Sequence, residues 1–370
     1  MRWLRALLVA APLSLIACGG GAPSPKAAAP ATAPRPVAPQ AASKLVAGAE
    51  AAKSPAGRDR AIALMREAVA LDGHLWEAHY DLGVLLAQAG DLGGAEASLE
   101  KAAELAPDVQ DVSMALGQVR RQRGEQRQAA DGLKLFLDKH PDATGVRALY
   151  ARALREAGQI DLARGEAREL LRRKAGDPVA LSELALCELA KGERDTADLL
   201  VKEALSSNKE SAVAHRTAGL IALAKGDDAA AFGSFLKASQ LDPKDTTARL
   251  NMGTVLLRAG VYPKAEEQFR QVLAVSKDDA AASIGLAAAL RGQGDKDRQA
   301  KFRESQKVLE GVLARDPHNI DAELNLAILL ADFLKKPAEA KPLFQRFLAD
   351  APSDHVARAE AERQLKALGK

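Results

Sequence analysis

Beyond residue 42 the chain alternates short apolar helical stretches with polar turns, and the alternation has a fixed length. Gly90, Gly124, Gly158, Gly192, Gly226, Gly260 and Gly294 stand 34 residues apart, a true internal period. Gly83, Gly117, Ala151, Ala185, Gly219, Gly253 and Ala287 form a small-residue column before them, and Ala95, Ala129, Ala163, Ala197, Ala231 and Ala265 an alanine column after them. Large apolar residues keep the same step: Leu82, Leu116, Tyr150, Leu184, Met252 and Leu286, then Leu99, Leu133, Val201, Phe235 and Phe269. A glycine closing a helix takes the left-handed conformation without a Cβ clash. Small columns let two helices approach, and Pro107, Pro141 and Pro243 end the second helix of their units. Each unit therefore reads as a helix–turn–helix pair that cannot bury its apolar face alone and must stack on its neighbours.

A 34-residue period with small, glycine, alanine and proline columns in this order resembles the tetratricopeptide repeat (TPR). The resemblance covers residues 76–353 in eight units: 76–109, 110–143, 144–177, 178–211, 212–245, 246–279, 280–319 and 320–353. Residues 42–75 read as a degenerate first repeat, with Ala49, Ala61 and Met65 in register. The consensus tryptophan is replaced, for instance by His79, Ser113 and His215. The seventh unit carries six extra residues around GQGDKDRQAK, expected as a longer solvated turn, and the eighth lacks the column glycine. The resemblance implies an all-α fold, a right-handed superhelical solenoid. Residues 354–370 put Ala357, Ala361, Leu365 and Leu368 on one helical face, as a capping helix would. A single long charged helix is the rival pattern, but the glycine column would break it every 34 residues.

Residues 1–17 have the build of a signal peptide: Arg2 and Arg5, then an apolar run from Ala6 to Ala17. The run ends in Leu15-Ile16-Ala17-Cys18, which resembles the lipobox of bacterial lipoproteins, whose cysteine is lipidated and becomes the first mature residue. The alternative is an ordinary secretory signal with an incidental cysteine. Residues 18–41 would be the lipidated Cys18 and a linker; six prolines and eight alanines between Gly19 and Ala41 leave nothing to build a core. At ~3.1 Å per residue of polyproline II such a spacer reaches about 70 Å. By the bacterial sorting rule, Gly19 in place of Asp points to the outer membrane, with the protein facing the periplasm of a cell that has two membranes.

Charge and chemistry narrow the function. Lys and Arg number 52 and Asp and Glu 49, a net charge of +3, and the leader takes Arg2 and Arg5 with it. That balance lacks the basic stripe with which a nucleic-acid binder neutralises phosphates. His74 and His79 do not have the i, i+4 spacing of a zinc protease. His79 and His215 share one repeat column and read as packing residues. His140 and His318 sit in inter-unit turns, and Cys187 reads as a buried small hydrophobe. There is no GxSxG, Walker loop or CxxC. The expectation is a non-enzyme with no cofactor, no metal, no small-molecule substrate and no nucleic-acid partner.

What remains is surface. The TPR resemblance implies a concave groove lined by the second, fifth, ninth and twelfth places of each first helix. Tyr80, Val84, Met114, Gln118, Arg121, Arg152 and Arg155 fall there in the early units, a polar and basic stretch suited to acidic groups or a C-terminal carboxylate. Leu186, Leu189, Leu220, Leu223, Leu250 and Leu257 follow, then Ile284, Leu324 and Ile328, an apolar stripe for a helix or strand of a protein partner. The same leucines could instead pack between neighbouring helices. Bacterial TPR lipoproteins of similar layout include pilotins and gliding-motility components, so the expected role is a lipid-anchored scaffold for a secretin, pilus or motility machine of the cell envelope. An adaptor for cell-wall synthases or hydrolases is the alternative.

Overall fold

The computed structural model describes residues 37–243, 245–293 and 298–368. The proposed leader, Cys18 and almost all of the linker lie outside the described residues. From Pro39 the chain is helical throughout. A leading pair, α1 (Pro39–Ala51) and α2 (Arg58–Leu71), precedes α3 (Trp76–Ala89), α4 (Leu92–Leu105), α5 (Gln110–Gln122), α6 (Gln126–Lys139), α7 (Thr144–Glu156) and α8 (Ile160–Arg173). Then come α9 (Pro178–Ala190), α10 (Arg194–Ser207), α11 (Ala212–Lys225), α12 (Asp228–Leu241), α13 (Thr246–Arg258) and α14 (Tyr262–Val275). The last units are α15 (Ala280–Gly292), α16 (Arg298–Arg315), α17 (Ile320–Ile328) and α18 (Pro337–Asp350), closed by α19 (Arg358–Leu368). Pro39 opens α1 because the first helical position needs no N–H, so the helix starts inside the proline-rich stretch.

The sequence columns have clear physical work. At Gly226 the backbone turns left-handed, φ 81°, and closes α11; the side chain of the next residue, Asp227, accepts a bond from the Ala230 amide and starts α12. A Cβ added at Gly219 would lie 2.5 Å from the Phe235 ring, and one at Gly253 2.7 Å from that of Phe269. The glycine is thus what lets a phenylalanine from the second helix seat against the first. The alanine column is fully buried in the same contacts. In the leading pair the close approach falls on Gly48, over Met65, whereas Ala49 is exposed. The first helix there is one residue out of the expected register, because a short 3₁₀ turn, Pro55–Gly57, replaces the glycine turn.

Curvature follows from which helices touch. Each first helix packs on its own partner and, at nearly every step from α3 to α17, also on the first helix of the next unit. Second helices of neighbouring units make at most marginal contact. The first helices therefore form the shorter, inner side of the solenoid. The curvature also brings the turn at Gly90 beside the far end of the sixth unit: a Cβ there would stand 3.1 Å from Asp278 Oδ2.

Two units depart from the period. In the seventh, α16 is 18 residues long against 14 for its counterparts, so part of the expected solvated turn is helix. In the eighth, α17 continues into a π-helical turn, Leu329–Phe333. That turn holds one extra residue, and Lys335, φ 56°, adopts the left-handed conformation one place beyond the missing column glycine. The cap helix α19 sets Ala361 into the last core, with Ala357, Leu365 and Leu368 packed around it beside Phe344 and Phe347.

Candidate functional site

Because the first helices form the inner side, their outward-facing positions line the concavity. Gln118 is exposed; Tyr80, Met114, Arg121, Arg152, Arg155, Leu186, Leu189, Leu220, Leu223, Leu250, Leu257, Ile284, Leu324 and Ile328 are all half-buried. The apolar ones share a double role. Leu220 and Leu223 lie on the Phe235–Met252 core, Leu250 and Leu257 on that of Phe269, and Ile284, Leu324 and Ile328 on that of Phe344. Each packs against a core and keeps part of its side chain exposed. The most exposed leucines, Leu135, Leu162 and Leu199, sit instead on second helices, the outer side.

The basic stretch is not free. Arg121 makes a two-pronged bond to Glu156 in the next unit, 2.7 and 2.6 Å. Arg152 and Arg155 each donate at 3.0 Å to Glu183, one to each carboxylate oxygen. Glu183 is 1% exposed. Burial alone would push its carboxyl up, but the two guanidiniums overcome that and hold it below the ordinary glutamate range. The three arginines read from the sequence as groove cations therefore bind unit 3 to its neighbours. Glu156 and Glu183 were not among the residues singled out. Their signal was present, as acids 35, 31 and 28 residues after the arginines they pair with, close to one repeat.

The other candidates are structural. His79 Nε2 lies 3.1 Å from the Gly73 carbonyl and His215 Nε2 2.9 Å from that of Lys209, six residues back in both cases. His140 and His318 face Asp108 and Asp350 across equivalent inter-unit turns, at 3.1 and 2.8 Å. Cys187 is fully buried, and that burial pushes its thiol up to about 11. Among the described residues no group of three or more His, Cys, Asp or Glu is arranged to hold a metal ion, and no helix is long and apolar enough to cross a membrane.

Two tetratricopeptide-repeat family models match the sequence, one over residues 58–119 and the other over 250–301 and 295–355. No curated protein matches it. Among solved structures it is similar to a chain of the APC/C hetero-tetramer Cut9–Hcn1, with a TM-score of 0.57 and 16% identity over 85% of this chain and 59% of that one. It is also similar to pilF of Pseudomonas aeruginosa, with a TM-score of 0.51 and 17% identity over 61% of this chain and 98% of that one. The chain thus spans little more than half the length of the Cut9–Hcn1 chain it matches, and at such identities the likeness is one of fold. The helix pairs and their inner and outer sides make this chain a superhelical solenoid of helix–turn–helix repeats, which match the tetratricopeptide-repeat models over residues 58–119 and 250–355.

Proposed function

We propose that the protein is a lipid-anchored scaffold of the bacterial cell envelope, attached through Cys18 to the outer membrane and facing the periplasm. Its groove holds polypeptide partners of an envelope machine of the secretin, pilus or gliding-motility type. The observation that carries the address is Leu15-Ile16-Ala17-Cys18 followed by a spacer rich in proline and alanine. The several acyl chains of a bacterial lipoprotein hold such an anchor in the bilayer, each buried methylene contributing roughly 0.8 kcal/mol. The binding half of the proposal rests on the half-buried apolar stripe from Leu186 to Ile328 on the inner helices.

The test is crosslinking in the native cell, membrane fractionation and mass spectrometry on wild type, Cys18→Ser and the double variant Leu220→Asp/Leu257→Asp. Wild type should fractionate with the outer membrane and crosslink to secretin, pilus or motility proteins. Cys18→Ser should lose the membrane, and the double variant should lose the partners while keeping its far-UV helicity. A soluble wild type with cytosolic partners would sink the address. Crosslinks to cell-wall synthases or hydrolases would move the role to an adaptor of those enzymes.

A further inference from the structure

Arg291 occupies the twelfth place of its first helix, the column of Arg121 and Arg155, but among the described residues no carboxylate pairs with it as theirs do. In the fourth unit the sixth place holds Glu183, on which Arg155 closes at 3.0 Å. In the eighth unit the sixth place holds Asn325. The Asn325 side-chain NH₂ donates to the Asp321 carbonyl at 2.9 Å, and the residue's backbone oxygen, in place of a carboxylate, accepts from Arg291 Nη1 at 3.4 Å. Among the described residues no carboxylate lies within 4.0 Å of the guanidinium. Asp332 acts on it from beyond that reach and accepts a bond from Gln364 at 3.4 Å. Every other arginine named in the groove is taken: Arg121 by Glu156, Arg152 and Arg155 by Glu183. Arg216, at the fifth place of its unit, is taken by Asp245.

The two irregular units build this place. The lengthened α16 carries Phe302, and the π turn carries Phe333, whose ring stands edge-on to Phe302 at 5.2 Å and 5.9 Å from the Arg291 guanidinium carbon. The π turn thus sets an aromatic ring against this cation, and π turns collect at functional sites. A half-buried guanidinium without an anion is costly, and burial draws the Arg291 pKa below the usual arginine value.

We infer that Arg291 is the anion anchor of the groove, and that it receives an Asp or Glu side chain of a partner polypeptide. The inference rests on the groove reading above. Leu257 and Ile284 on one side and Leu324 and Ile328 on the other supply apolar contact both before and after the anion. The bound segment therefore continues past Arg291 in both directions, which favours an acidic side chain within the partner over its terminal carboxylate.

The probe is a phage-displayed library of short random peptides, selected on the full chain as wild type, Arg291→Gln and Asn325→Glu. Wild type should select segments with Asp or Glu set among Leu, Ile, Val or Phe. Both variants should lose the acidic preference and keep the apolar one: the first lacks the cation, and the second supplies an internal carboxylate at the place Glu183 holds in the fourth unit. A synthetic peptide of the wild-type consensus should bind about tenfold to a hundredfold more tightly than its Glu→Gln counterpart. The two peptides should bind the variants alike. An acidic preference that survives in both variants, or apolar selection with no acidic preference on wild type, overturns the anchor and leaves the groove reading standing. A peptide whose only acid is its C-terminal carboxylate, binding as tightly as the consensus, overturns the side-chain assignment. If wild type selects nothing, the groove reading fails and the anchor with it.

Discussion

Exchanging Glu183 for Gln asks whether one buried carboxylate fastens the third unit to the fourth. The group is 1% exposed and accepts one bond at 3.0 Å from each of Arg152 and Arg155. Glutamine keeps the shape but loses the charge; its carbonyl can satisfy one arginine, and its NH₂ then faces the other donor to donor. Removing one partner of a buried ion pair costs about 3–5 kcal/mol. Here the arginine side chains keep 28% and 19% exposure, so they recover some hydration, which puts the loss at about 3 kcal/mol, the lower end of that range. A solenoid's stability is a sum of unit and neighbour-interface contributions, so the loss falls on one joint. The wild-type melt should accordingly divide in the variant into separate transitions for the halves before and after residue 178, followed by calorimetry and far-UV dichroism. Hydrogen exchange should show protection falling between 144 and 211. The pH dependence has a definite sign. Because the folded carboxyl lies below the ordinary glutamate value of 4.5, its stabilisation is complete above that pH and is lost as pH falls through the folded value. The gap between wild type and variant should therefore narrow in acid. A variant that melts in a single step at the wild-type temperature at neutral pH would refute the reasoning.

Two further predictions use the same solenoid. Gly219→Ala should lower the urea midpoint, costing about 1–3 kcal/mol by overpacking against Phe235, which is 0% exposed. Gly165→Ala, on the exposed face of α8 with nothing within 4 Å, should raise it by about 0.5–1 kcal/mol; midpoints moving in the same direction would contradict this account of the small column. Burial and the nearby Glu77 raise the Asp81 carboxyl to about 6. The folded state therefore favours the protonated form, and stability is lost as pH rises from about 4 towards 6. Asp81→Asn should raise the melting temperature at pH 7.5 by the equivalent of about 1–2 kcal/mol, a value discounted for partial exposure. It should make little difference near pH 4, and equal melting temperatures at both pH values would count against it.

The solenoid was legible because its rules are local and repeated. A glycine that must be left-handed and a small residue that must admit Phe235 or Phe269 constrain single positions, and a fixed step shows them again in each unit. The charge network was harder to see. Arg152 and Glu183 look like any other pair of surface charges until helix packing brings them within 3.0 Å, although the spacing near one repeat and the apolar run around Glu183 were there to be read. The expected groove residues were placed by family geometry, which fixes which face they share but not which carboxylates occupy them. The eighth unit hid its own regularity: with no glycine at the expected place, nothing in the sequence announces that Lys335 turns left-handed one residue later.

That turn behaves like a dislocation in a crystal. One surplus residue enters a lattice of otherwise equal units, and the misfit is confined to the core of the defect, Leu329–Phe333, and its exit at Lys335. Beyond it α18 again buries Ala340, Phe344 and Phe347, and the terminal helix docks on them. A periodic protein can thus absorb a change of length without passing it on to its neighbours. It can also hold, at the point of absorption, an arrangement of side chains that no perfect repeat would contain.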